Sequence, residues 1–354
     1  MLARFIGWVQ RRQLYAGQQI ERPWPKNLLE EDRSFFAKNQ KYELPPSWLL
    51  QLREVSLYWD GVAFHGLQLY PETLILPDRP THNWRGLLHM HLRLRRQKLS
   101  ATSQYLLIHD AWSEPYYHWM VDALPRLLAI RSKLPELLAE LVLILPAHYQ
   151  SDYHYQTLQA LGVHNVQRIQ PKTRYVVPRL LAPGRLSRVA SYNPQVMRDL
   201  RQLLWEKFPL LPQADLGDRI YISRERATRR KVLNESEVTA YLREQGFAIV
   251  QLECYGFTEQ ASIMARARCL VSIHGAGLTN MLFMVPGSKV LELQMKDDGT
   301  NHYYYTLAAD LGIGYYYQFC QPNDHTLTVQ DADLLVDVAK MAQVVQQMLA
   351  GHNT

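Results

Sequence analysis

From about residue 104 onward, short apolar runs alternate with helix-length stretches, and this alternation constrains the fold more than any other feature of the chain. Apolar runs at 105–109, 141–145, 166–169, 175–181, 219–222, 247–252, 269–273 and 290–293 have the length of buried strands. Helical stretches fall between and after them, at 115–133, 153–161, 194–208, 234–244, 258–268, 278–284, 301–311 and 332–349. Asn193 before Pro194 is a helix cap followed by a proline at the first helical position. Asn234 and Glu237 have capping-box spacing. Strand and helix in repeated succession build a parallel sheet with helices on both faces, an α/β fold.

A chain of 354 residues suggests two such domains. The stretch 210–217, with Pro212 and Gly217, reads as the end of a linker, which divides the chain into 1–210 and 211–354. Residues 1–50 are rich in proline and aromatics (Pro23, Trp24, Pro25, Pro45, Pro46) and read as an irregular extension. Alternation over 55–70 around Asp60-Gly61 predicts a hairpin. The basic stretch 85–98 reads as a surface helix or loop. The last helix is expected to pack back on the first domain.

Composition narrows the class. Hydrophobic residues make up 47% and charged residues 20%, which excludes a disordered chain. A net charge of +6 leaves nucleic acid, an anionic membrane surface and phosphorylated small molecules as partners. The basic patches at 85–98 and 224–231 lack interleaved stacking aromatics, which argues against nucleic acid. Cys254, Cys269 and Cys320 have no metal-ligand spacing and suggest a reducing compartment. No run approaches the roughly 18 apolar residues of a membrane span. Residues 1–13 mix Phe5, Ile6, Trp8 and Val9 with Arg4, Arg11 and Arg12, and suit either a packed or frayed helix or a weak interfacial anchor. The expected location is cytoplasmic, or peripheral at the inner membrane.

Four segments carry chemistry. The run Cys269-Leu-Val-Ser-Ile enters His274-Gly275-Ala276-Gly277-Leu-Thr279-Asn280, a glycine turn that opens a helix. Ligands of open α/β sheets bind at the carboxyl ends of strands, glycines admit a close approach, and a helix N-terminus favours phosphate. A plain tight turn leaves His274 unexplained. Next, Asp218-Arg-Ile-Tyr-Ile leads into Ser223-Arg224, and five cations fall between Arg224 and Lys231 against one acid, Glu225. Guanidinium forks match phosphate oxygens, so Arg224, Arg229 and Lys231 are donor-binding candidates beside Ser223. Third, Tyr116-Tyr-His118-Trp-Met-Val-Asp122-Ala-Leu-Pro125-Arg126 puts His118 and Asp122 on one helix face among apolar neighbours. A His–Asp pair is general-base chemistry, with Asp122 the first choice as base and His118 close behind. Pro125 is expected to kink that helix. Fourth, Glu292 at a strand end suits ribose hydroxyls.

Two further signals read as structure. Asp331-Ala-Asp333 matches a metal-holding acidic triplet but stands where the last helix is expected to begin, where acids favour the dipole. The tyrosines at 303–305 and 315–317 could stack a sugar or base, or serve as half-buried structure.

With these residues in this order, the sequence resembles glycosyltransferase family 61. That group includes plant xylosyltransferases, animal O-linked N-acetylglucosaminyltransferases and bacterial capsular-polysaccharide biosynthesis proteins. The resemblance runs from 116–126 through Tyr221-Ile-Ser223-Arg224, Arg229-Arg230-Lys231 and Asn234-Glu235 to His274-Gly-Ala-Gly277-Leu-Thr-Asn280, Pro286-Gly287 and Glu292. It implies a GT-B arrangement of two Rossmann-like domains facing across a cleft, with acceptor and base in 1–210 and the sugar nucleotide in 211–354. It implies an inverting reaction from a nucleoside-diphosphate sugar to a hydroxyl of a glycan or lipid-linked acceptor. No metal or other cofactor is required, and the setting is bacterial capsular or extracellular polysaccharide synthesis. The alternatives are a nucleotide-sugar-binding scaffold protein without activity, and a dehydrogenase, against which the missing Gly-x-Gly-x-x-Gly argues.

Overall fold

The apolar runs form strands in a computed structural model that describes residues 9–75, 84–187, 190–296, 302–329 and 331–350. Contacts divide the chain into two units. The first comprises residues up to 18 and 44–188, and the second comprises 19–43 and 189 onward. The division therefore falls about twenty residues before the expected linker.

The first unit is built on nine strands: β1 (Val9–Tyr15), β2 (Ser47–Leu57), β3 (Ala63–His65), β4 (Gln68–Leu69), β5 (Arg95–Lys98), β6 (Gln104–Leu107), β7 (Leu141–Pro146), β8 (Val166–Ile169) and β9 (Thr173–Pro183). They lie in the order β8-β7-β6-β9-β2-β3-β4, with β1 on β2 and β5 on β9. Strands β6 to β9 are mutually parallel, whereas β2 to β4 join antiparallel. The hairpin around Asp60-Gly61 forms between β2 and β3, with Gly61 at φ 85°. Counted along the chain, the parallel strands stand third, second, first, fourth. The order reverses between β6 and β9, which makes their carboxyl ends the crevice of a doubly wound sheet. Leu50, Leu52, Val55, Tyr105, Leu107, Val177 and Leu180 fill the core around it.

The second unit holds β10 (Arg219–Ile222), β11 (Ala248–Val250), β12 (Cys269–Ile273), β13 (Lys289–Met295), β14 (Gly314–Pro322) and β15 (Leu334–Leu335). Their order is β11-β10-β12-β13-β14-β15, parallel except for the last. Here the reversal lies between β10 and β12. The core joins Tyr221, Val271, Ile273, Leu291 and Leu293 to Met341, Val345 and Met348 of the last helix, Val338–Ala350. That helix was expected on the first domain and instead lies in the core of its own unit. Among the described residues, no helix is long and apolar enough to cross a membrane.

Three expectations need correction. Residues 9–50 are ordered rather than irregular: besides β1, they form the two-stranded sheet Gln18–Glu21 with Lys41–Leu44, and the helix Arg33–Gln40. Segment 19–43 is a working part of the second unit. Arg22 grips Asp310 through two bonds of 2.7 and 2.9 Å, both side chains 1% exposed. The Lys26 N–H donates to the Tyr315 carbonyl, and the Asn27 amide exchanges bonds with Tyr317, so the segment covers an edge of β14. Residues 332–337 are not helical, because the Leu334 N–H bonds the Lys231 carbonyl and β15 pairs with β14. Asn234 does not close a capping box through a backbone bond. Its amide instead donates to the Val336 carbonyl. Of the helix or anchor expected over residues 1–13, residues 9–13 lie in β1 instead, and residues 1–8 lie outside the described residues.

Candidate active site

In the first unit the chain leaves β6, passes Asp110, and enters a helix at Tyr116–His118 that continues to Lys133. Pro125 has no N–H to give the Val121 carbonyl. Beside it the helix has a widened turn: Trp119–Ala123 is π-helical, and the Leu124 N–H bonds the Trp119 carbonyl five residues back. Such turns concentrate at functional sites. Trp119, Met120, Ala123, Leu124 and Leu127 are buried and fix the helix. The Trp119 indole donates to Thr157.

This turn brings His118 and Asp122 together. His118 Nδ1 donates to Asp122 Oδ2 at 2.7 Å, since an ionised carboxylate can only accept. Ser187 Oγ donates to Asp122 Oδ1 at 2.8 Å, and Arg185 Nη2 stands 2.5 Å from Oδ2. Arg185 also donates to Asp110, which accepts from Arg126, the Trp112 N–H and Ser113. Two carboxylates thus interlock with two guanidiniums, all nearly buried. Burial pushes the Asp122 carboxyl up, but Arg185 and His118 outweigh it and hold it below the usual carboxylate range. Asp110 is held low in the same way by Arg126 and Arg185 against its burial.

Asp122 is therefore ionised, with its oxygens engaged. His118 is 24% exposed at the side chain, and with its Nδ1 spoken for, Nε2 is the atom open to a substrate proton. Trp112, 38% exposed, stands beside it with ring centroids 5.6 Å apart.

In the second unit, β10 leads into Ser223 and Arg224. The Ser223 N–H bonds the Val250 carbonyl, and its Oγ accepts from the Glu225 N–H, so Ser223 shapes the turn. Arg224 donates to the Arg229 and Arg230 carbonyls at 3.0 and 3.1 Å. Arg230, at φ 54°, donates to the His274 carbonyl at 3.2 Å. Both guanidiniums reach Gly275: a Cβ there would stand 3.6 Å from Arg224 Nη1 and 3.7 Å from Arg230 Nη1. Gly275 opens the 3-10 helix Ala276–Phe283, whose first turn has backbone N–H groups without helical acceptors. Two cations and the start of a helix therefore meet where the strand order reverses.

The other expected donor contacts separate. Gly277 is a packing residue, since a Cβ would press on Ile222 and Leu252 at 3.3 Å. Thr279 and Asn280 are fully buried, and the Asn280 amide meets Gln260. Arg229 is 60% exposed and pairs with Asp331 at 3.0 Å, while the Lys231 N–H donates to Asp333. The two acids thus hold the 229–231 loop rather than a helix start. Glu292, 1% exposed, has both oxygens occupied: one by His274 Nδ1 at 2.5 Å, the other by the Tyr315 hydroxyl at 2.6 Å. It orients His274, whose ring lies 5.0 Å from that of Tyr304. The tyrosines at 315–317 are buried sheet residues.

Sequence reasoning missed Asp110, Arg185 and Ser187, and picked Arg229 and Lys231 where the fold uses Arg230. Asp110 and Gly184-Arg185 follow the ends of β6 and β9, so the strand-end rule used for His274 was a signal for them as well.

The glycosyltransferase 61 family model matches residues 116–291, from the His118–Asp122 helix into β13. Similar proteins carry the name protein O-linked-mannose beta-1,4-N-acetylglucosaminyltransferase 2. The one from Canis lupus familiaris is 33% identical over 109 residues, 29% of this chain and 19% of that protein. The one from Homo sapiens is 33% identical over 107 residues, 29% and 18% of the two chains. The one from Takifugu rubripes is 35% identical over 97 residues, 26% and 16%. The chain thus spans less than a fifth of the length of these relatives.

Proposed function

We propose, from the match of residues 116–291 to the glycosyltransferase 61 family model, that the chain is an inverting, metal-independent glycosyltransferase of the GT-B type. The first unit activates the acceptor. His118 Nε2 takes the proton of an acceptor hydroxyl, and Asp122 supports the imidazolium that forms. The hydroxyl oxygen attacks the anomeric carbon, the bond to the diphosphate breaks, and the nucleoside diphosphate departs from the second unit. Arg224, Arg230 and the N–H groups after Gly275 neutralise the charge that develops on it, as fixed groups preorganised for that oxygen. The acceptor is a glycan or a lipid-linked glycan, with Trp112 beside His118 offering an aromatic face to a sugar ring. The setting is bacterial capsular or extracellular polysaccharide synthesis at the cytoplasmic side.

The observation that carries this reading is the convergence of Arg224 and Arg230 on Gly275 at the strand-order reversal. A diphosphate brings about two negative charges to the two guanidiniums. The test is the melting temperature with UDP, GDP and their sugars, with and without a chelator. At about a hundredfold over Kd, binding stabilises by about 2.7 kcal/mol, a rise of several degrees. The rise is expected to survive chelation, to vanish in Arg230→Ala and to persist in Arg229→Ala. No rise with any nucleotide defeats the enzyme reading and the nucleotide-binding scaffold alike. A rise without transfer of any sugar favours the scaffold.

A further inference from the structure

Outside both clusters, the helix Trp84–Arg93 and β5 form a surface that sugar transfer does not use. Residues 84–98 contain Arg85, Arg93, Arg95, Arg96 and Lys98 and no acid. The helix buries Leu87 and Met90 against Val62, Phe64 and Leu74, and His91 donates to the Gly66 carbonyl at 2.6 Å. With those positions turned inward, helical spacing sends Arg85, Leu88, His89 and Leu92 outward together. Leu88 is 40% exposed and Leu92 75% exposed. All four residues of β5 are exposed as well.

The register places both parts on one side of the sheet. Arg96 stands opposite Arg174, Val176 opposite Ser56, and Ser56 opposite Phe64. Positions two apart share a face, so Arg96 and Arg174 lie on the face that the helix covers. The bond from Arg174 to Ser56 Oγ at 3.2 Å agrees. The Lys98 ammonium pairs with Glu54 at 3.2 Å, so the arginines carry most of the surface's positive charge.

We propose that this surface docks the first unit on an anionic lipid bilayer. Leu88 and Leu92 enter the boundary between headgroups and acyl chains, and Arg93 and Arg96 meet the lipid phosphates. Exposed leucines flanked by cations and free of acids are the signature of an interfacial helix. A nucleic acid would engage the arginines and leave the leucines in water. A second copy docked symmetrically would set like charges against each other. The proposal is independent of the transfer chemistry, since lipid binding is read without any substrate.

The test is co-sedimentation of the full chain with phosphatidylcholine vesicles and with equimolar phosphatidylcholine–phosphatidylglycerol vesicles, across a salt series. Binding to the anionic vesicles alone is expected. Arg93→Gln and Arg96→Gln together should weaken it about 25-fold, at about fivefold per arginine. The matching double Arg→Lys variant should keep most of the affinity. Leu88→Ser with Leu92→Ser should remove the part of binding that resists high salt. The replaced side chains are exposed, so unchanged melting temperatures verify folding. Equal binding to neutral vesicles, no vesicle binding, or indifference to both the glutamine and serine variants overturns the proposal. So does binding of an RNA probe that is lost in the glutamine variant when the vesicles do not bind.

Discussion

Asp122 meets Ser187, His118 and Arg185, so it has little capacity left for a substrate proton. The neighbouring imidazole has that capacity. His118→Ala is expected to lower the transfer rate by 10²–10⁴-fold, the usual range for a lost general base, while nucleotide-induced melting shifts persist. Asp122→Asn should lower kcat by a comparable factor through the wrong tautomer, also with donor binding intact. Full activity in His118→Ala would remove the imidazole from the reaction. His118 and Asp122 were legible because four-residue spacing is a local property of one helix. Asp110 and Arg185 lie 75 positions apart, and only the pairing of β6 with β9 unites them. Arg230 was indistinguishable from Arg229 in sequence, because its backbone at φ 54° turns it toward His274.

At the scale of elements, the π turn of Trp119–Ala123 sets the distance between His118 and Asp122. Pro125→Ala restores an N–H and permits a regular helical turn, which would rotate His118 relative to Asp122. A shift of about 1 Å at a catalytic group can cost on the order of 10²-fold, so kcat should fall by that order. Donor-induced melting shifts should stay as in the parent chain, and an unaltered kcat would show that the widened turn is dispensable. Most elements could be read from the sequence, since unbroken apolar runs of strand length have few other uses. Residues 332–337 could not: their composition suits a helix, but Leu334 finds an open partner in Lys231 and an edge in β14.

At the scale of the molecule, two buried imidazoles tie stability to pH. Burial pushes His109 down to about 4, against the pull of the Trp59 carbonyl. Burial likewise lowers His154 to about 4, although its bond to the Glu114 carbonyl opposes this. An unfolded imidazole titrates near 6.5. Between about pH 6.5 and 4 the unfolded chain binds protons that the folded chain refuses. This stability is therefore complete above 6.5 and lost as pH falls through that window, by up to about 3 kcal/mol for each histidine. Melting of the full chain at stepped pH should show the loss, and His154→Gln should flatten it. A melting temperature constant from pH 7 to 4.5 would contradict it. Two α/β sheets of largely parallel strands were legible in outline. The membership of 19–43 in the second unit was not, because Arg22 and Asp310 lie 288 positions apart.

That pairing of distant segments sets the timetable of biogenesis. Residues 19–43 leave the ribosome well before the strand and helix they fasten to, since Arg22 precedes Asp310 by 288 positions. The buried guanidinium of Arg22 must wait, solvated, until Asp310 is made. The first unit has all its residues once Arg188 is made, while the second unit closes only after Asp310 follows. A fragment starting at residue 190 would lack the counter-charge of Asp310 and leave an ionisable carboxyl stranded in its interior.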